Sequence, residues 1–331
     1  MFASGPLLPA EDRRVERNLR KKLWRRARAR RRRMWVVFLA FCCASGMAAF
    51  LGPEEPRPVS RVEAPDLGSV PAPPVVGGGL EARLSQIASV YPGEYGVAVF
   101  DARSGRTAEV GTGRKFEAAS LAKLPAMLAL YKEAADGELD LDEDIAVEAG
   151  DMTAEGSGVL HTYPAGHRMT LRECAEFLVK ESDNTAWLML ERRLGKERIS
   201  AELDALGLDS SDYEARATTP KDTLIILRAI ADPEYTSPAL SEEMLDMMTG
   251  TAYEGRLPEP LPEDVRVAHK VGTLGDTYSD AGIIFDEDSD DPGGAYYIVV
   301  ISGGAGEPAA KEAIRRMSLA AHEDLRPDYS E

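Results

Sequence analysis

Ser120-Leu121-Ala122-Lys123 leads into the apolar run Leu124 to Leu130 (LPAMLAL), and the organisation of the chain turns on this segment. The pattern predicts a helix from about Ser120 to Ala135, stopped at Asp136-Gly137. Residues three apart share one helix face, so the Ser120 hydroxyl and the Lys123 amine can meet. A serine hydroxyl is a poor nucleophile until a neighbouring base takes its proton. A lysine becomes that base when burial or nearby cations lower its pKa. The start of the helix adds free backbone N–H groups for a developing oxyanion. Pro125 falls in the first turns, where its missing N–H costs least. A lone Ser-x-x-Lys arises often by chance, so the weight lies in what surrounds it.

Upstream, Leu80, Leu84 and Ile87 are spaced as one helical face. Tyr95 to Asp101 (YGVAVFD) and Thr107 to Val110 read as strands joined through Arg103-Ser104-Gly105. Downstream, Leu171 to Lys180 and Trp187 to Leu194 read as helices, interrupted by Glu181-Ser182-Asp183-Asn184. Thr219-Pro220 opens a helix over Leu224 to Ala231. Arg266 to Lys270, Asp280 to Phe285 and Ala295 to Ser302 read as three strands. Pro308 starts a last helix with the apolar face Ala310, Ala313, Ile314, Met317 and Ala321. Strands at both ends with helices between them predict an α+β fold. One antiparallel sheet of N- and C-terminal strands is flanked by the terminal helices, a helical lobe spans about 120–255, and a site lies in the cleft between them.

The charge of −17 over 331 residues is divided unevenly. Residues 1–33 hold 13 Lys/Arg and 3 Asp/Glu, a net +10, which leaves −27 on the rest. The apolar run Met34 to Leu51 follows this arm and is near the roughly 17–25 residues that cross a bilayer. The Arg30 to Arg33 cluster predicts a cytoplasmic N-terminus and a body outside. A cleaved signal peptide, cut among Ala44 to Ala49, is the alternative; the long basic lead favours an uncleaved anchor. Phe41 before Cys42 does not suit a lipoprotein site. The arm's position against an apolar span points to topology and anionic lipid rather than nucleic acid. The expected organisation is a basic cytoplasmic arm (1–33), a transmembrane anchor (34–52), a Pro/Gly-rich linker (53–79), a folded domain (80–325) and a short tail (326–331). Cys174 alone lies beyond the anchor, so the domain has no internal disulfide, and it reads as a buried helix residue rather than a nucleophile. The acidic run Asp286 to Asp291 lacks the glycine and terminal glutamate of a calcium loop and reads as a solvated hairpin tip.

Three further pieces follow the serine and lysine in order: Ser182-Asp183-Asn184, Thr218-Thr219-Pro220 and Lys270-Val271-Gly272-Thr273. This set resembles the class A β-lactamases and the wider penicillin-recognising serine enzymes. Softer matches lie at Phe116 to Leu130, Gly156-Ser157-Gly158, Met169 to Glu173 and Asp280-Ala281-Gly282. The resemblance spans Leu80 to about Leu325 and implies a β-lactamase/transpeptidase-like fold with a five-stranded antiparallel sheet. It implies Ser120 as nucleophile, Lys123 as base and Ser182 as the hydroxyl that relays the proton to the leaving nitrogen. Asn184, Lys270, Gly272 and Thr273 are then substrate-binding, with Lys270 facing a substrate carboxylate and helping to keep Lys123 neutral. The implied oxyanion hole is the backbone N–H of Ser120 and of Thr273. No metal or other cofactor is implied. Asp183 reads as a loop-holding group and His269 as a strand residue.

Two departures stand out. Val271 replaces the hydroxyl residue after the third-motif lysine. The segment Gly207 to Arg216 is much shorter than the loop that carries the deacylating glutamate in class A β-lactamases; its carboxylates Asp209, Asp212 and Glu214 occupy no evident equivalent position. The expectation is a membrane-anchored, extracytoplasmic serine hydrolase that forms an acyl-enzyme at Ser120 with a β-lactam or a peptidoglycan-like peptide and releases it slowly. A penicillin-binding sensor and a non-catalytic envelope binding module of the same fold are the alternatives. The oligomeric state is not legible.

Overall fold

The computed structural model describes residues 79–286 and 289–327. The basic arm, the apolar run and the linker up to residue 78, together with Cys42, lie outside the described residues. Among the described residues no helix is long and apolar enough to cross a membrane.

Helix α1 (Leu80–Val90) leads into strand β1 (Glu94–Asp101) and β2 (Thr107–Val110). Short β3 (Phe116–Glu117) precedes helix α2 (Lys123–Ala135). Then come β4 (Asp144–Ala146), β5 (Arg168–Thr170), α3 (Leu171–Lys180), α4 (Asn184–Leu194) and α5 (Lys196–Ala205). Short β6 (Ala217–Thr218) leads to α6 (Pro220–Ala231) and α7 (Pro238–Met247). Strands β7 (Val267–Leu274), β8 (Thr277–Ile284) and β9 (Tyr296–Gly303) and helix α8 (Glu307–Leu325) complete the domain. The main sheet has the order β2-β1-β9-β8-β7 and is antiparallel throughout. The α+β expectation, with terminal strands sharing one sheet, holds.

Alternation explains why both faces of the sheet are covered. Successive side chains of a strand point to opposite faces. In β9, Tyr296, Ile298 and Val300 join Leu80, Leu84 and Ile87 of α1 and Ala313, Ile314 and Met317 of α8 in one apolar cluster. Tyr297, Val299 and Ile301 join the helical lobe in the other. Helix α6 packs on β1, β8 and β9, and its buried face includes Ile226, Leu227 and Ile230. Edge strand β7 borders the lobe beside the turn that carries Ser120.

Local chemistry sets the lobe's helix starts. Thr170 and Glu173 form a reciprocal capping box on α3. Asp183 caps α4, and Thr219 caps α6 with Pro220 in its first turn. Ser237-Pro238 does the same for α7. At the other end of the domain, buried Arg326 donates to Asp101 Oδ1 (3.0 Å), to Gly294 O (2.6 Å) and to Asp286, which also pairs with Arg103. The acidic run therefore begins with a carboxylate engaged by two arginines; Glu287 and Asp288 lie outside the described residues.

Candidate active site

The nucleophile segment differs from its expected form at the start. Ala119–Ala122 is a 3-10 turn, and α-helical bonding begins at Lys123. Three residues per turn eclipse positions i and i+3, so Ser120 and Lys123 stand one above the other. Lys123 Nζ lies 3.2 Å from Ser120 Oγ. The turn is entered through Ala119 at φ +48°, a left-handed conformation that costs an alanine about 1–2 kcal/mol. Among the described residues only three non-glycine residues have positive φ: Ala119, Ser182 and Arg216. All three border this site, as strained backbone at functional positions tends to do.

Ser182 sits between α3 and α4, and its backbone at φ +52° turns the hydroxyl inward. Its Oγ accepts from Lys123 Nζ (3.1 Å) and from Lys270 Nζ (2.9 Å), so one hydroxyl links the two amines. Lys123 also donates to Ser182 O and to Asn184 Oδ1 (2.6 Å). Two glycines let the neighbouring loop approach this segment. A Cβ on Gly156 (φ +84°) would fall 2.1 Å from Asn184 Nδ2, and one on Gly158 (φ +105°) 2.4 Å from Asp183 Cα. Asn184 Nδ2 donates to Glu155 O (2.9 Å) and Ser157 Oγ to Ser182 O (2.9 Å). Asp183 accepts from the N–H groups of Val159 (2.6 Å), Leu160 (2.8 Å) and Ala186 (2.9 Å), the loop-holding arrangement expected of it.

The electrostatics follow from burial. Lys123 is 0 % exposed, and desolvation lowers its pKa to about 7, opposed by Asp183 and assisted by Arg216. Lys270, 1 % exposed, is pushed well below the ordinary lysine value by burial and then by Lys123. In its unprotonated form, an amine 3.2 Å from a serine hydroxyl can turn its lone pair to that hydroxyl's proton. An anion arriving beside Lys270 would favour its charged form again.

On β7, Val271 and Thr273 share a strand face, so the hydroxyl lost at Val271 has a counterpart one pleat along. Thr273 Oγ1 accepts from Arg256 Nη2 at 2.5 Å. Buried Arg256 also donates to Gly272 O (2.8 Å) and Ser279 O, which fixes this end of the strand from behind. Nothing in the sequence marked Arg256. His269 is fully buried in β7 and donates through Nδ1 to Asp280 (2.9 Å), with Glu254 3.4 Å from Nε2. Burial lowers its pKa, but Asp280 and Glu254 outweigh burial and raise it to about 9. A cation so held is no base near neutral pH. Cys174 is buried, its thiol pushed up by desolvation.

The short loop contributes aromatic and cationic groups rather than a carboxylate. Asp209, Asp212 and Glu214 are exposed, and the acceptors around Lys123 are hydroxyl, carbonyl and amide oxygens. Buried Tyr213 and half-buried Arg216 turn inward onto Trp187. Sequence reading missed both, and also Glu191, which accepts from each of them at 2.8 Å.

The profile of the Beta-lactamase2 family, described as the beta-lactamase enzyme family, matches residues 79–325. The beta-lactamase VEB-1 of Pseudomonas aeruginosa is 23 % identical over 218 residues, covering 59 % of this chain and 72 % of that protein. Among solved structures, PBP-A is 27 % identical with a TM-score of 0.68, covering 75 % of this chain and 96 % of that one. A beta-lactamase from Sphaerobacter thermophilus is 26 % identical with a TM-score of 0.66, covering 73 % and 95 %. The match runs across both the sheet and the helical lobe.

Proposed function

The chain belongs to the beta-lactamase enzyme family and is a β-lactamase-like serine hydrolase, and from that premise we propose that it acylates at Ser120 with β-lactams or peptidoglycan-like peptides and releases the acyl group slowly. The observation that carries this reading is the hydrogen-bonded chain Ser120–Lys123–Ser182–Lys270 around a lysine whose pKa burial lowers to about 7. In the acylation step Ser120 Oγ attacks the amide carbonyl carbon, and Lys123 takes the hydroxyl proton. Ser182 passes a proton to the leaving nitrogen as the carbon–nitrogen bond breaks. The N–H groups of Ser120 and Thr273 stabilise the oxyanion. Asn184, Lys270, Gly272 and Thr273 line the substrate, with Lys270 regaining its charge on a substrate carboxylate.

Release needs a water and a base on the ester's open face. The exposed positions of Asp209, Asp212 and Glu214 support slow release, because a missing general base typically costs about 10²–10⁴-fold. A variant of the structural relative PBP-A was captured as an acyl-enzyme with penicillin G, which supports a β-lactam as acylating agent here. The same slow release favours a second reading, a penicillin-binding sensor whose signal is the persistent adduct. The test is intact mass after mixing with penicillin. The expected result is a stoichiometric adduct that persists and is abolished by Ser120→Ala; fast steady-state hydrolysis with no adduct would refute slow release.

The basic arm and apolar run support membrane anchoring with the enzyme domain outside the cytoplasm. A reporter fused after Leu325 should be active only in the extracytoplasmic compartment, and cytoplasmic activity would overturn that topology.

A further inference from the structure

Arg216 is a strained residue of the site whose side chain the proposed acylation does not use. Its guanidinium carbon lies 3.6 Å from the Trp187 ring centroid and 5.1 Å from that of Tyr213. Lys123 Nζ lies 5.1 Å from the same indole centroid, so the amine and the guanidinium are within about 9 Å of each other through one ring. A closed set of bonds holds the guanidinium there. Nη2 donates to buried Glu191 (2.8 Å), Tyr213 donates to the same oxygen (2.8 Å), and Trp187 Nε1 donates to Tyr213 (2.7 Å). Nη1 is buried with no hydrogen-bond partner. A buried unpaired donor costs stability, and a left-handed arginine costs more; both persist together at this position.

We propose that Arg216, laid on Trp187 beside Lys123, is a positioning residue whose fixed charge disfavours a second cation at Lys123 and so keeps that amine free to take the Ser120 proton. The inference rests on the reading of Lys123 as the base. The charged groups facing Lys123 come from three elements. Asp183 at the cap of α4 favours the ammonium form, but its carboxylate is already shared among three backbone N–H groups. Lys270 of β7 meets Lys123 through Ser182 Oγ. Arg216 approaches from the short loop, its charge partly balanced by Glu191, which also has Lys196 at 3.9 Å.

Trp187 supplies a readout independent of acylation. The chain has three tryptophans, so Trp24→Phe and Trp35→Phe in the full-length protein leave Trp187 alone. Its fluorescence, followed from pH 5 to 10, should titrate with a midpoint near 7, and Lys123→Met should remove that titration. Arg216→Gln should raise the midpoint by about one pH unit, and Arg216→Lys should return it toward the parent value. Glu191→Gln, which frees the guanidinium of its counter-charge, should move it the other way. Penicillin acylation should follow: Arg216→Gln is slower by up to about tenfold below the midpoint and converges with the parent at high pH. An unmoved midpoint in folded Arg216→Gln overturns the proposal. If that variant does not fold, an unmoved or raised midpoint in Glu191→Gln overturns it instead. A parent chain with no Lys123-dependent titration in this range also overturns it. Midpoints that move as stated in a protein that never forms an adduct would instead refute the acylation reading and leave the role of Arg216 standing.

Discussion

Replacing Ser182 by alanine removes one oxygen that accepts two hydrogen bonds, at 3.1 Å from Lys123 and 2.9 Å from Lys270. Both amines keep other acceptors: Ser120 Oγ, Ser182 O and Asn184 Oδ1 for Lys123, and Val271 O for Lys270. At about 0.5–1.5 kcal/mol per lost bond, the folded state should weaken by about 1–3 kcal/mol. The kinetic loss should be larger. With no hydroxyl between Lys123 and the leaving nitrogen, acylation should slow by about 10²–10⁴-fold, or roughly 3–5 kcal/mol of barrier. Glycine at the same position separates the two effects. At φ +52° it should be about 1 kcal/mol more stable than alanine, yet equally poor in acylation. The assay is stopped-flow acylation with an amide and a matched ester, alongside urea unfolding. An alkoxide leaving group needs less help from a proton, so the ester should lose less. Equal losses for amide and ester, or amide acylation within threefold of the parent, would refute the relay.

Lys270→Ala should slow acylation by carboxylate-bearing substrates roughly 10- to 100-fold more than by neutral ones, the worth of a hydrogen bond to a charge, and equal loss for both would remove Lys270 from carboxylate binding. His269 is stabilised as a cation, its pKa raised from 6.5 to about 9, so its contribution is complete below about pH 6.5 and is lost as pH climbs through 9. Lys123, held low, works in the opposite sense, so the measurement is the unfolding free energy of the parent minus that of His269→Gln; this difference should fall by about 3 kcal/mol from pH 6 to pH 10, and parallel curves would count against the assignment. Gly158→Ala forces a Cβ against the Asp183 backbone at φ +105° and should cost about 2–4 kcal/mol in thermal unfolding while slowing acylation; a neutral substitution would show that the loop moves freely.

The parts of the fold that were legible in sequence are those where a local period coincides with burial. Leu80, Leu84 and Ile87 mark α1, and Leu171 to Lys180 is α3 to the residue, because its capping box and apolar face agree. Strands β1, β2, β8 and β9 fell within a few residues of their observed bounds. The pattern predicts an α-helix from Ser120 where the structure has a 3-10 turn: the two share their composition and differ in i→i+3 against i→i+4 bonding, which leaves no local pattern. Helices α5 and α7 were not foreseen: α5 buries only Ile199 and Leu203, and α7 shows its cap as a plain Ser-Pro. Within the site, Ser120, Lys123, Ser182, Asn184 and Lys270 follow from spaced motifs, and the structure brings them together through direct hydrogen bonds. Arg256, Trp187, Tyr213, Glu191 and Arg216 carry no such signal. Each matters through a partner distant in sequence or through a ring stack, neither of which leaves a local pattern.

The pairing of β1 with β9 has a consequence for how the domain comes together. Tyr95 lies opposite Ser302, and the entire helical lobe is threaded between them in the chain. During synthesis the first hairpin must wait, with the edge of β1 open, until β9 has emerged about two hundred residues later. The lobe has local contacts of its own and can condense earlier, since closing long loops is what slows folding. Ser120 and Ser182 belong to that early body, whereas Lys270 and Thr273 arrive with the late strands. Competence should therefore appear in one step at the end of assembly, when β9 slots between β1 and β8 and carries the C-terminal hairpin against the lobe. A chain cut before β9 should hold much of its helix, display an unpaired strand edge prone to aggregation, and bind no penicillin at all.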